Sequence, residues 1–76
     1  MDNELMLIQI NQDLSELAEE YLGAASNERL WAKGSETEEE IQMHEANAEH
    51  NHIMGLFYSY LAGRALDLIE TFQEEN

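Results

Sequence analysis

The stretch KGSETEEE at residues 33–40 separates two long runs of helical periodicity, and it decides the fold. Lys33 followed by Gly34 is typical of a helix end, because glycine accepts the left-handed conformation and a cation suits the negative end of the helix. Ser35 and Thr37 each precede a glutamate by three residues, as the first residue of a capping box does. The stretch therefore predicts a tight turn between two helices.

Both runs that flank this turn repeat apolar residues in alternating steps of three and four, the pattern of helices that pack side by side. We expect one helix over about residues 4–32, a turn at 33–35 and a second helix over about 36–73. The predicted contact face of the first helix comprises Leu7, Ile10, Leu14, Leu17, Tyr21, Ala24, Glu28 and Trp31. That of the second helix comprises Met43, Asn47, His50, Met54, Phe57, Leu61, Ala65, Leu68 and Phe72. Folding the chain at Gly34 pairs residue i with about residue 68 − i.

That expected pairing leaves the residues after Arg64 without a partner on the first helix. A second row of mostly small residues also runs beside the predicted contact face of the second helix, which implies that another helix covers it. This row comprises Ile41, His44, Ala48, Gly55, Ser59, Ala62, Leu66 and Ile69. Both features favour the association of two hairpins into a four-helix bundle. The alternative is a break near Gly63, with residues 64–73 folding back as a short third helix.

The predicted fold class is all-α: a single domain over residues 1–76, built as an antiparallel two-helix hairpin that dimerises. A chain of 76 residues is too short for two domains, and the absence of proline suits long helices. Because there is no cysteine, disulfides and thiolate chemistry are excluded. The acidic start and the lack of an apolar run of about 20 residues predict a soluble cytoplasmic protein.

The chain carries 17 acidic residues against three lysines and arginines, for a net charge of −14. Such a surface repels nucleic acids and anionic membranes, so the expected partner is a basic surface of another protein. The net charge is −6 over residues 1–32 and −5 over 33–52, against −3 over the remainder. We therefore expect the acid-rich part to dock on the partner and the C-terminal third to self-associate.

We expect no enzymatic activity and no cofactor. None of the serines has the sequence context of a nucleophile elbow or a catalytic triad, and no glycine-rich phosphate loop is present. A cluster of glutamates resembles the magnesium-binding glutamates of all-α nucleotide pyrophosphatases. Its members are Glu36, Glu38, Glu39 and Glu40. Because the cluster lies at a helix start, helix capping explains it instead.

Glu49 and His52 form a Glu-x-x-His pair on one face of the second helix, so both can bind the same metal ion. The pair resembles the di-iron sites of ferritin-like bundles, which add a glutamate from another helix. The resemblance implies a metal site of Glu20, Glu49 and His52, with Glu16 or Glu19 as other sources of the carboxylate. A small hairpin that dimerises around iron, similar to the encapsulated ferritins, is therefore an alternative function.

Polar residues interrupt the predicted contact faces. Glu28 and Glu40 are expected to face each other near the turn, where they would repel unless a cation lies between them. Asn47 and His50 are expected inside the contact between the helices, where a buried polar residue fixes the register. A pH switch is the alternative role of His50.

Between residues 36 and 52 the chain carries six acids and no lysine or arginine. On a helix such carboxylates repeat about every 5–6 Å, a spacing comparable with that of the phosphates along a DNA strand. In size, charge and lack of catalytic motifs the chain resembles acidic phage proteins that block host nucleases or CRISPR complexes. The resemblance implies an inhibitor, either an anti-CRISPR or another DNA mimic, that docks on the nucleic-acid-binding surface of a target protein.

The predicted docking residues combine charge with apolar anchors on the second helix. We expect Ile53, Leu56 and Tyr60 to be exposed among carboxylates, so that apolar contacts supply affinity while charge steers association. The predicted partner-binding residues are Glu38, Glu39, Glu45, Glu49, Ile53, Leu56 and Tyr60. The other alternative is a small homodimeric regulatory or structural bundle whose charge serves only solvation.

Overall fold

The computed structural model describes residues 2–75, which form two long α-helices packed antiparallel. Helix α1 spans Asn3–Gly34 and helix α2 spans Glu38–Glu75. The predicted all-α hairpin is confirmed, with its turn at residues 35–37. Because α2 continues without a break past Gly63, the alternative of a third helix after that glycine is wrong.

Side chains close both ends of α1. At its start, Oδ1 of Asp2 accepts a hydrogen bond from the backbone N–H of Glu4 at 2.9 Å. At its end, the hydroxyl of Ser35 donates to the carbonyl oxygen of Trp31 at 2.7 Å. Ser35 therefore terminates α1. The prediction that Ser35 caps the second helix is wrong. Because Ser35 satisfies the last carbonyls from an extended backbone, Gly34 does not adopt the expected left-handed conformation.

Thr37 caps α2, as predicted. Its Oγ1 accepts a hydrogen bond from the backbone N–H of Glu40 at 3.2 Å. Three consecutive carboxylates at residues 38–40 then lie in the first turn, next to the positive end of the helix. The turn at residues 35–37 lies two residues later than predicted, because α1 extends through Gly34.

Small residues, mostly at seven-residue intervals, form the contact between the helices. The buried apolar residues are Ala18, Ala25, Ala32, Ala48, Ala62, Ala65 and Ile69. At Gly55, which is also buried, an added β-carbon would lie 2.6 Å from Cδ2 and 3.3 Å from the backbone nitrogen of Leu22. The two helices therefore approach closely at Gly55, and a larger side chain there would push them apart.

The face of α1 that lies against α2 shares only half of its residues with the predicted contact face. The row of buried and half-buried residues comprises Leu7, Asn11, Leu14, Ala18, Tyr21, Ala25, Glu28 and Ala32. Every second member is displaced by one residue from the prediction, and Ile10 and Trp31 are exposed. The displacement follows from the alanines, which let the backbones approach more closely than the bulky residues beside them would allow.

On α2 most of the predicted second row lies against α1, whereas of the predicted contact face only Ala65 is buried, and Met54, Leu61 and Phe72 are half-buried. The buried and half-buried members of that row are Ile41, His44, Ala48, Gly55, Ala62 and Ile69. The predicted contact residues that are exposed instead are Met43, Asn47, His50, Phe57 and Leu68. Asn47 and His50 therefore do not lie inside the contact, and their expected role in fixing the register is wrong.

The register of the two helices also differs from the predicted pairing. Nδ2 of Asn11 donates to the carbonyl oxygen of Ala62 at 2.8 Å, and Nε2 of Gln73 donates to Oε1 of Glu4 at 3.0 Å. The residue numbers in these two pairs add up to 73 and 77, whereas the predicted pairing required 68. The sums are larger because the turn lies later in the chain. The start of α1 thus reaches the end of α2. The predicted unpaired overhang does not exist, and it gives no reason for a dimer.

Candidate functional site

The side of α2 that points away from α1 carries most of the residues predicted to bind a partner. Glu45, Glu49, Ile53, Leu56 and Tyr60 follow one another at intervals of three or four residues, which keeps them along one side of the helix. All five are exposed. We call this row, about 22 Å long at 1.5 Å per residue, the outer strip.

The apolar part of the outer strip has no role in the hairpin itself. Ile53, Leu56 and Tyr60 are 56 %, 53 % and 65 % exposed, respectively. Carboxylates lie at both ends of this apolar segment, since Glu45 and Glu49 precede it and further acids at residues 67 and 70 follow it. The outer strip is therefore an apolar patch bounded by negative charge.

Glu38 and Glu39 are exposed in the first turn of α2 and do not belong to the outer strip. Glu39 precedes Glu49 by ten residues, which corresponds to about 15 Å along the helix. The structure thus brings five of the seven predicted partner-binding residues together. The remaining two lie near the turn, where their carboxylates adjoin the positive end of α2.

Arg29 of α1 lies beside the acids of the outer strip, which the sequence analysis did not anticipate. A groove of about 370 Å³ between the helices is lined by Arg29, Glu45, Ala48, Glu49 and His52. The guanidinium group reduces the negative potential of the two glutamates on this side. A basic partner would therefore compete with Arg29 for them. Arg29 lies near Glu45 because residues near 29 and 45 face each other in the observed register.

The residues of the predicted metal site are not assembled within one hairpin. Glu49 and His52 line the groove with Arg29, whereas Glu20 lines a different groove with Tyr21 and Asn51 on the other flank. In residues 2–75 no group of three or more His, Asp or Glu side chains is placed to hold a metal ion. The Glu-x-x-His pair needs carboxylates from a second chain to complete such a site.

Besides the Gln73–Glu4 hydrogen bond, two polar contacts between the helices were not predicted. Nδ1 of His44 lies 2.5 Å from Oε2 of Glu28, and because a carboxylate only accepts, the imidazole N–H donates. The Trp31 ring lies beside the imidazole, with centroids 5.9 Å apart. The expected opposition of Glu28 and Glu40 is wrong, because the register brings His44 to Glu28 instead. The other contact is the Asn11 hydrogen bond, whose signal was the seven-residue spacing of Asn11 from the buried alanines.

A row of mostly large apolar residues from each helix lies along one flank of the hairpin, which we call the side face. Its members are Ile10, Leu17, Ala24 and Trp31 of α1 and Met43, Met54, Phe57, Leu61 and Leu68 of α2. The members are spaced by seven residues on α1 and by three, four, seven or eleven residues on α2, and each of these spacings keeps a row on one side of its helix. The antiparallel packing puts both rows on the same flank. These residues belong to the predicted contact faces that the α1–α2 contact does not use.

No family model, no curated protein and no solved structure matches this chain. Over the described residues, neither helix combines the length with the hydropathy that crossing a bilayer requires.

Proposed function

We propose that the protein is a non-enzymatic binding module that docks on a basic surface of another protein through the outer strip. The observation that carries this proposal is the exposure of Ile53, Leu56 and Tyr60 between carboxylates. Large apolar side chains grouped on the surface of a small protein are typical of a binding site. None of the three contributes to the packing of α1 on α2.

The two parts of the outer strip have different roles in the proposed association. Apolar side chains that become buried at the centre of an interface supply most of the affinity. The carboxylates of Glu45 and Glu49, together with the net charge of −14, attract a basic partner over a long range and orient it. Binding by this mechanism weakens as salt screens the charges.

The most concrete form of the proposal is a phage-type inhibitor, an anti-CRISPR or another DNA mimic, that occupies a nucleic-acid-binding surface. The hairpin is a straight rod of 58 × 16 × 13 Å. Its length corresponds to about 17 base pairs of DNA, since each base pair adds 3.4 Å along the axis of the double helix. A rigid acidic rod of this length suits a basic groove that otherwise holds a duplex.

We also propose that the hairpin forms a homodimeric four-helix bundle. Its support is the side face, which leaves Phe57, Leu68 and Trp31 more than half exposed in the single hairpin. A ferritin-like metal bundle is the second candidate, because Glu49 and His52 line one groove. Metal analysis of the purified protein, repeated on a variant with Glu49→Ala and His52→Ala, tests it. Equal metal content in the two samples would remove that candidate.

The docking proposal is tested by a binding assay on the immobilised chain. DNA-binding proteins are purified from a bacterial lysate on heparin and then passed over the immobilised chain. We expect the wild type to retain a basic protein that the Ile53→Ser/Leu56→Ser/Tyr60→Ser variant releases. Reversal of charge by Glu45→Lys and Glu49→Lys should weaken retention at least tenfold at 50 mM salt and far less at 500 mM, because screening removes the contribution of these charges.

The matched controls alter equally exposed residues outside the outer strip. Leu5→Ser and Leu30→Ser remove exposed leucines of α1, and Glu16→Lys with Glu19→Lys reverses two exposed acids of α1. These variants should retain the protein almost as the wild type does. Equal retention by the wild type and by both outer-strip variants would contradict the proposal.

A further inference from the structure

We infer that a second copy of this chain docks on the side face, with α1 of each copy against α2 of the other. This inference rests on the proposed dimer and names the surface that forms it. It is independent of the outer strip, which lies on a different side of α2. Area, core composition, charge and register each support it.

The exposed area of the single hairpin is larger than a compact protein of its mass presents. The accessible surface is 5688 Å² for a chain of 8.8 kDa, whereas a compact monomer of that mass exposes about 4,800 Å². The excess of about 900 Å² is close to the ~800 Å² that each partner buries in a standard protein interface. The surface left over by the hairpin is thus about what a dimer needs.

The core of the single hairpin consists almost entirely of alanine. Of the seven buried apolar residues, six are alanines and the seventh is Ile69. Ala25 is fully buried, but no large side chain among the described residues is less than 2 % exposed. Large apolar residues of the kind that fill the core of most small domains, such as Phe57, Leu61 and Leu68, lie on the side face instead. A second hairpin on that face gives them the cover that α1 and α2 do not give each other.

Charge favours a second copy, and not a basic protein, as the partner on this face. From residue 43 to residue 71, the side-face residues of α2 and the residues that border them on the side away from α1 include no acid. The residues there are Met43, Asn47, His50, Met54, Phe57, Leu61, Arg64, Leu68 and Thr71. Two chains of net charge −14 repel each other, so they approach most easily through a face without carboxylates.

The edges of the side face carry opposite charges on the two helices. Asp13 and Glu20 border it on α1, whereas Arg64 borders it on α2. Placing α1 of one copy on α1 of the other would bring acids together. Placing α1 on α2 of the other copy, with both turns at the same end, brings Asp13 level with residues 60 and 61 in the observed register, about one helical turn from Arg64, a separation that the long arginine side chain can span. Arg64 is free to take part, because its ion pair with Asp67 is 3.7 Å long and highly exposed.

Sedimentation equilibrium of the full chain tests the inference. We expect twice the chain mass of 8.8 kDa for the wild type, and a dissociation constant that falls as salt rises, because salt screens the repulsion between like-charged copies. Phe57→Glu with Leu68→Glu should raise the dissociation constant at least a hundredfold. The matched control, Leu56→Glu with Tyr60→Glu on the outer strip, should leave it within about threefold.

A cross-linking measurement keeps the test decisive if the Phe57→Glu/Leu68→Glu variant does not fold. Asp13→Cys combined with Leu61→Cys should yield a disulfide-linked dimer on oxidation, whereas each single variant should not, because a disulfide requires Cα atoms within about 7 Å. A wild-type mass of 8.8 kDa in all salt conditions would overturn the inference. So would a dimer that the control variant breaks and the side-face variant keeps. Neither result would affect retention of a basic protein by the outer strip, so the two proposals fail separately.

Discussion

At residue 55, the absence of a β-carbon sets how closely the two helices approach. A β-carbon there would overlap the side chain of Leu22 and lie 3.3 Å from its backbone nitrogen. Gly23 and Gly63 have open space at the same position. Gly55 thus occupies a different environment from Gly23 and Gly63, although all three lie within helices.

Gly55→Ala should therefore lower the free energy of unfolding by about 1–3 kcal/mol, because the overlap with Leu22 outweighs the gain in helix propensity. Gly63→Ala should raise it by about 0.5–1 kcal/mol, since alanine favours the helix and meets nothing there. Urea unfolding at one protein concentration measures both. A stabilisation of equal size in the two variants would show that the helices do not approach closely at Gly55.

The polar residues inside the hairpin show what the sequence could not predict at this scale. Glu28 was placed correctly in the contact, but its partner is His44 and not Glu40. A shift of a few residues in register exchanges one neighbour for another, and charge alone does not fix that shift. Asn47 and His50 looked like buried polar residues only because the contact face of α2 was assigned one row too far around the helix.

At the scale of the helices, sequence periodicity predicted two helices and the turn between them. It predicted half of the contact residues of α1, and on α2 it took the row beside the true contact, which shares Ala65 with it, as the contact face. The reason is physical: both helices carry two adjacent apolar rows, one of small residues and one of large residues. Backbones approach closely along the small row, and the periodicity of apolar residues does not report side-chain volume. The exposure of the proposed docking residues of α2 was easier to predict, because it depends only on where α1 does not cover the helix.

The start of α2 depends on one side chain. Thr37→Ala removes the hydroxyl that accepts the N–H of Glu40, so we expect unfolding to require about 1 kcal/mol less free energy. Ser26→Ala, at an exposed position within α1, is the matched control and should change stability by less than about 0.5 kcal/mol. Thermal unfolding followed by circular dichroism compares them. Equal melting temperatures in the two variants would mean that the hydroxyl of Thr37 does not contribute to capping.

At the scale of the whole molecule, two apolar surfaces lie on different sides of α2 and differ in charge. The outer strip has carboxylates at both ends, whereas the side face is free of acids along the described part of α2 from residue 43 to residue 71. The first suits a basic protein and the second suits another copy of the chain. Salt is expected to act in opposite directions on the two associations, weakening the first and strengthening the second.

The central claim is that the outer strip occupies a basic surface that otherwise binds nucleic acid. The most direct measurement is the fluorescence anisotropy of a labelled DNA duplex bound to heparin-purified bacterial DNA-binding proteins, titrated with the full chain. We predict that the wild type lowers the anisotropy by displacing the duplex, and that the Ile53→Ser/Leu56→Ser/Tyr60→Ser variant needs at least tenfold more protein. An anisotropy that does not change with added wild type, or falls equally with the variant, would contradict the claim.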